Sequence, residues 1–311
     1  MAVSNSSAVS AAQAKTGAFA ALVCYLLWGI VPLYWTQLAA VHPLELIAHR
    51  NLWSLLFVLL LVALQGGMGE IRAALSRRGS IAINFASGAL LTTNWLIYVW
   101  GVNTGHVIEC GLGYFFVPLV NVAVGRFLLH EQLRRLQWIA IAFAAGGVAW
   151  LIIQLGHAPW IALGLAASWS AYSLLRKRSP LGSLVGLTVE TVLISPLALT
   201  FLVGLYVTGS GFFGRADLRT NLLIMSSGVI TAIPLLLFAF GARCIRMSTL
   251  GLLQYVAPTV QIVLGLLVYH EPFSRERAES FGLIWFGLVL YTVDSLLLQR
   301  RSGLIPRESP S

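Results

Sequence analysis

GLGYFFVPLVNVAVGRFLLHE, residues 111–131, has a counterpart 140 residues downstream in GLLQYVAPTVQIVLGLLVYHE, residues 251–271. The offset carries Gly111-Leu112 to Gly251-Leu252, Pro118 to Pro258, Gly125 to Gly265 and His130-Glu131 to His270-Glu271. Beyond the quoted stretch it carries Gly88 to Gly228, Leu96 to Leu236, Gly101 to Gly241 and Gly147 to Gly287. An offset held constant over about sixty residues means two structural repeats fused head to tail. In a chain this apolar, such repeats are the mark of a carrier, with the substrate expected at their interface.

Hydrophobic residues make up 58% of the 311 and charged residues 10%, against roughly 45–50% and about 25% in soluble domains. That apolar surface needs lipid, so the fold class is an all-α integral membrane protein. A helix needs about 20 apolar residues to cross ~30 Å of hydrocarbon. Ten segments meet this: 17–38, 43–65, 80–103, 107–129, 136–154, 158–175, 182–208, 220–241, 248–270 and 278–298. The first is too long for a signal-peptide core and is read as a retained helix.

Orientation follows from Lys and Arg. With a cytoplasmic N-terminus, fifteen basic residues fall inside, from Lys15 through the 72–78, 126–135, 176–178 and 243–246 segments to Arg307. Four fall outside: Arg215, Arg219, Arg275 and Arg277. This predicts both termini in the cytoplasm of a bacterial-type inner membrane. Residues 1–16 and 299–311 are then cytoplasmic tails, and 17–155 and 158–298 are two five-helix repeats. Five is odd, so the second repeat enters the membrane inverted relative to the first. The net charge of +9 is an orientation device beside anionic lipid, not a nucleic-acid surface.

Loops are short, the longest near 66–79 and 209–219, and leave no room for a soluble catalytic domain. There is no phosphate-binding Gly-rich loop ending in Lys-Ser or Lys-Thr, and no His-Glu-x-x-His metal motif. No cofactor or metal is expected. Cys24, Cys110 and Cys244 are odd in number and widely spaced, and read as small buried side chains. The expected partners are a small-molecule substrate and the lipid bilayer. The oligomeric state stays open, a monomer included.

Several motifs resemble one family. Pro43-Leu44-Glu45 with His49-Arg50-Asn51-Leu52-Trp53-Ser54 is similar to the second helix of RarD-type proteins. The same holds for Asn94-Trp95-Leu96, Trp100-Gly101-Val102-Asn103, Glu109 through Phe115 with Pro118-Leu119, Leu187 through Thr191, and Thr249 through Thr259. RarD-type proteins are a branch of the EamA-type drug/metabolite transporters, and the resemblance spans about residues 17–298. One departure is that His130 and His270 stand where the family more often has Gly before Glu. The resemblance implies ten helices in two inverted halves. It also implies a central cavity lined by the first four helices of each half, with the fifth and tenth peripheral.

An ionisable group at the bilayer centre costs at least ~2.5–3.5 kcal/mol, so each one needs a partner, water or a task. Arg50 lies about 10 Å into the second span and Glu190 about 12 Å into the seventh, from opposite sides. They are expected to line or brace the cavity, with a fixed ion pair between helices as the alternative. Glu109, His49 and Glu190 are candidates for proton coupling. A helix N-terminal acid is the alternative for Glu109, and a hydrogen-bonded structural residue for His49. Asn94 and Gln254 are expected to meet cargo or neighbouring helices. Trp28, Trp95, Tyr114, Trp169 and Tyr255 suit a cavity for a flat organic molecule, or ordinary packing. Trp35 reads as an interface anchor. Pro118 and Pro258 break helix hydrogen bonds at repeat-related positions and are expected hinges. The leading expectation is a secondary transporter, an exporter of small organic molecules, with a membrane enzyme acting on lipids as the alternative.

Overall fold

Pro32 and Pro43 each sit in the first turn of a helix, where the missing N–H costs nothing. In the computed structural model, residues 11–268 and 275–303 are described. They form α1 (Ala11–Ile30), α2 (Pro32–Trp35), α3 (Pro43–Leu64), α4 (Met68–Leu75), α5 (Arg78–Asn103), α6 (Val107–Ala123) and α7 (Arg135–Leu155). These are followed by α8 (Trp160–Arg178), α9 (Ser183–Val207), α10 (Leu218–Cys244), α11 (Met247–Leu253), α12 (Val256–Leu267) and α13 (Arg275–Gly303). No strand occurs among the described residues. The second His-Glu pair, His270-Glu271, the last two residues of the 248–270 segment and most of both tails lie outside the described residues.

Local chemistry sets the ends. Asp217 caps α10, its side chain accepting from the Thr220 N–H at 3.3 Å. Gly156, at φ 77°, closes α7 in the left-handed region. The end of α6 widens into a π-helical turn, Val124–Leu128, and His130 then takes φ 53°. A side chain in that region crowds its own backbone, which explains why glycine suits this position.

Among the described residues, eight helical segments are long and apolar enough to cross a membrane: Ala12–Leu38, Pro43–Leu64, Arg78–Asn103, Glu109–Leu128, Arg135–Leu155, Ser183–Val207, Leu218–Cys244 and Met247–Leu267. The expected span 158–175 overlaps α8 and 278–298 lies within α13, and neither is among these eight. For α8 the reason is composition: Ser168, Ser170, Ser173 and the basic run Arg176-Lys177-Arg178 make it less apolar. The three serines and Arg176 are buried, with Ile161, Leu165, Trp169 and Tyr172, against protein rather than lipid. The 66–79 stretch, expected as a loop, contains α4, whose Ile71 and Ala74 are buried against α9.

The packing has a pattern. α1 packs against α10 and α12, and α8 packs against α5 and α6. α3 lies against both α9 and α10, and α5 against α9. α7 pairs with α13, and α6 with α11. The main core gathers Tyr25 and Trp28 from α1, Trp169 and Tyr172 from α8, and Phe238 from α10. A second core, with Ile141, Ala144, Val148, Phe281, Ile284 and Tyr291, joins α7 to α13.

Candidate functional site

Where α3, α5, α9 and α10 converge, a cavity of about 30 Å³ remains. Asn51, Ser54, Thr92, Trp95, Glu190, Thr191 and Thr231 contribute its polar lining, and Leu91, Leu187, Ile194 and Leu235 its apolar wall. A water needs roughly 10–15 Å³ measured this way. As it stands the cavity has room for a water or two. Two of the expected cavity residues, Trp95 and Glu190, line it directly.

Arg50 stands beside it. Its Nε donates to Thr231 Oγ1 at 2.9 Å. The guanidinium carbon lies 4.6 Å from the ring centroid of Trp35 and 4.4 Å from that of Trp95. Each such contact contributes roughly 0.5–2 kcal/mol, more as water is excluded. Trp35 thus faces a charge inside the bundle, a role its position near a span end had not suggested. Tyr114, with its ring 5.9 Å from Tyr98, stays partly exposed on α6.

Glu190 pairs elsewhere than with Arg50. Arg176 Nη1 donates to Glu190 Oε1 at 3.1 Å, and Arg176 Nη2 to the Ser183 carbonyl at 3.3 Å. Both side chains are buried, Arg176 completely. Sequence reasoning counted Arg176 among cytoplasmic loop charges. The available signal was the short connection at 179–182, which keeps Arg176, in the last turn of α8, close to the start of α9. Glu190 Oε2 accepts no hydrogen bond among the described residues.

The other expected residues are engaged by the protein itself. Glu109 Oε2 accepts from the Ile161 N–H at 3.2 Å and so caps the first turn of α8. His49 is buried, its Nε2 3.8 Å from Glu45 Oε1 and its ring 4.6 Å from that of Phe213. Asn94 Nδ2 donates to the Leu165 carbonyl at 2.9 Å and to Ser168 Oγ at 3.0 Å, binding α5 to α8. Gln254 Oε1 accepts from Asn121 Nδ2 at 3.3 Å, and the Tyr255 hydroxyl donates to the Phe115 carbonyl at 3.2 Å. Trp28 and Trp169 pack into the main core. Pro118 lies within α6, and Pro258 just past the break between α11 and α12.

One carboxylate escaped sequence reasoning. Glu131 accepts from the Met247 N–H at 2.6 Å, the Ser248 N–H at 3.0 Å and the Ser248 hydroxyl at 2.7 Å. It clamps the start of α11 to the loop after α6. Nearby, Lys177 Nζ donates to the carbonyls of Ala242 (3.1 Å) and Ile245. This end of the bundle is tied shut.

Apolar helices of bilayer length packed side by side define a polytopic membrane protein. Residues 15–153 match the EamA-like transporter family. The transporter YojE of Bacillus subtilis, itself described as uncharacterized, is 40% identical over 94% of this chain and 98% of its own. The protein RarD of Streptomyces exfoliatus is 39% identical over 93% of this chain and 92% of its own. The chain therefore belongs to the EamA-like transporters, in their RarD branch. A solved crystal structure superposes with a TM-score of 0.70 at 20% identity, covering 89% of this chain and 97% of its own, and that likeness speaks for the fold. The relatives are transporters, so the lipid-enzyme alternative falls away.

Proposed function

We propose that this transporter works by alternating access, exporting small organic metabolites or drugs across the bacterial plasma membrane. Residues 17–155 and 158–298 form its two inverted five-helix halves, with both termini cytoplasmic. The observation that carries this reading is the helix packing. Exchanging α1 with α8, α3 with α9, α5 with α10, α6 with α11–α12 and α7 with α13 maps the principal contacts onto one another. A two-fold arrangement of this kind gives one structure two unequal gates. The cavity is too small for cargo as it stands, so transport on this reading needs it to widen by motion of the halves. Pro118 and Pro258, on exchange-related helices, are the proposed hinges. Trp28, Asn94, Tyr114, Trp169, Gln254 and Tyr255, engaged by protein here, are proposed to reach cargo only when the halves part.

Glu190 is the favoured proton-coupling group, because it is a buried carboxylate that lines the cavity. Glu109 and His49 are the other two candidates, held in this state by the Ile161 N–H and by Glu45 and Phe213 respectively.

The test is reconstitution into liposomes with an imposed pH gradient and a mixture of metabolites. Saturable solute movement with accompanying protons is expected. Glu190→Gln is expected to retain exchange of labelled for unlabelled solute and to lose gradient-driven accumulation. Cysteines placed at Arg135 and Arg275 should label from opposite faces. Labelling from one face, or solute movement in no liposome preparation, would sink the reading.

A further inference from the structure

We propose that Arg50 is the recognition point for a carboxylate on the cargo, so that the transported class is small organic acids with a flat or apolar body. This rests on the transporter reading and deepens it.

The argument starts from an unbalanced charge. A cation inside the bundle needs compensation. Arg176 has Glu190, and Lys177 has two backbone carbonyls. Among the described residues, no carboxylate lies within salt-bridge distance of Arg50. Of its five N–H donors, one is used, at Thr231 Oγ1. Trp35 and Trp95 attract the guanidinium through their ring faces but leave its net charge in place. A group that is costly to keep and has four of its five donors left over is poised for a ligand.

The geometry selects the ligand. Thr231 fixes one edge of the guanidinium plane, and the two indoles hold its position. The remaining fork of donors matches the two oxygens of a carboxylate, an arrangement a lysine ammonium does not reproduce. Trp95 also lines the cavity, so once the halves part and widen it, a carboxylate on Arg50 would direct the rest of the molecule along the Trp95 ring toward the apolar side chains of Leu91 and Leu235. That wall suits a planar or apolar body.

The test is calorimetric titration of the purified full-length chain in a neutral, lipid-free detergent. The probes are benzoate and cinnamate against benzamide and cinnamamide, which keep the shape and lose the charge. The acids are expected to bind at least about tenfold more tightly than the amides. Arg50→Gln should abolish that preference, and Arg50→Lys should keep part of it. If Arg50→Gln does not fold, Thr231→Val, which leaves the charge and frees its orientation, should weaken acid binding several-fold and spare the amides. Equal affinity for acids and amides, no binding of either acid at millimolar concentration, or an undiminished preference in the variants would overturn the proposal. Acid binding without solute flux in liposomes would overturn the transport reading alone. Flux that ignores the acid-to-amide change would overturn this inference alone.

Discussion

The indole of Trp28 on α1 meets the indole of Trp169 on α8 edge to face, with ring centroids 5.1 Å apart and planes at 78°. Both rings also pack on Phe238, at 5.8 and 5.1 Å. Replacing either tryptophan by alanine should cost roughly 3–5 kcal/mol through the cavity left behind. Part of the loss should be shared. A double-mutant cycle on unfolding in detergent should return a coupling of about 0.5–1.5 kcal/mol. Strictly additive single losses would contradict direct contact between the rings.

The Arg176–Glu190 pair is buried, so breaking it from one side leaves a lone charge. Arg176→Met or Glu190→Leu alone should cost about 3–5 kcal/mol, whereas the double substitution should recover most of that. Unfolding midpoints of the three variants decide it. A double variant as unstable as the worse single one would mean that each side chain has a further essential partner.

Glu131 holds two backbone N–H groups and a hydroxyl at the start of α11. Glu131→Ala leaves those donors without an acceptor, at about 1–3 kcal/mol for each one that stays buried. Hydrogen exchange read by mass spectrometry should speed up first in peptides spanning 247–253. Unchanged protection there would show that the clamp does not hold α11.

Two substitutions at left-handed positions should have opposite signs. His130 stands at φ 53° with a side chain that disfavours it, at a cost of about 1–2 kcal/mol. His130→Gly should raise the unfolding temperature, with the gain reduced by roughly 0.5–1 kcal/mol of glycine chain entropy. Gly156→Ala, at φ 77°, should lower it. Matching signs would count against strain at these positions.

The repeat glycines Gly88 and Gly228 both lie at helix crossings. A Cβ on Gly228 would come 2.3 Å from the Trp53 carbonyl carbon and 2.4 Å from the Ser54 nitrogen. One on Gly88 would meet the Ile194 side chain at 2.8 Å, a contact that can give. Both alanine variants should destabilise, by about 1–3 kcal/mol, with Gly228→Ala the worse because backbone must move. Comparing the two unfolding midpoints tests the order.

Much of the class was legible in the residues. Apolar runs of bilayer length require helices, because an unpaired backbone group in lipid costs too much. The recurring glycines mark close approaches, as Gly88 and Gly228 show, since a missing side chain is a local property visible in one letter. The motifs from Pro43 to Thr259 also carried the family. The interior polar residues were less legible. Asn94, Gln254 and Tyr255 had been open between cargo and neighbouring helices, and helix geometry alone cannot say which face meets a partner.

By itself, then, the sequence determined an all-helical membrane chain with a repeated pattern, because those traits follow from composition, run length and spacing. Tertiary structure alone decided which charges meet. It set Arg176, not Arg50, against Glu190, turned Trp35 onto Arg50, and gave Glu131 a helix start to hold. The physical reason is that an ion pair or a ring contact depends on angles of rotation and depths of several helices at once, and no local stretch of residues encodes those.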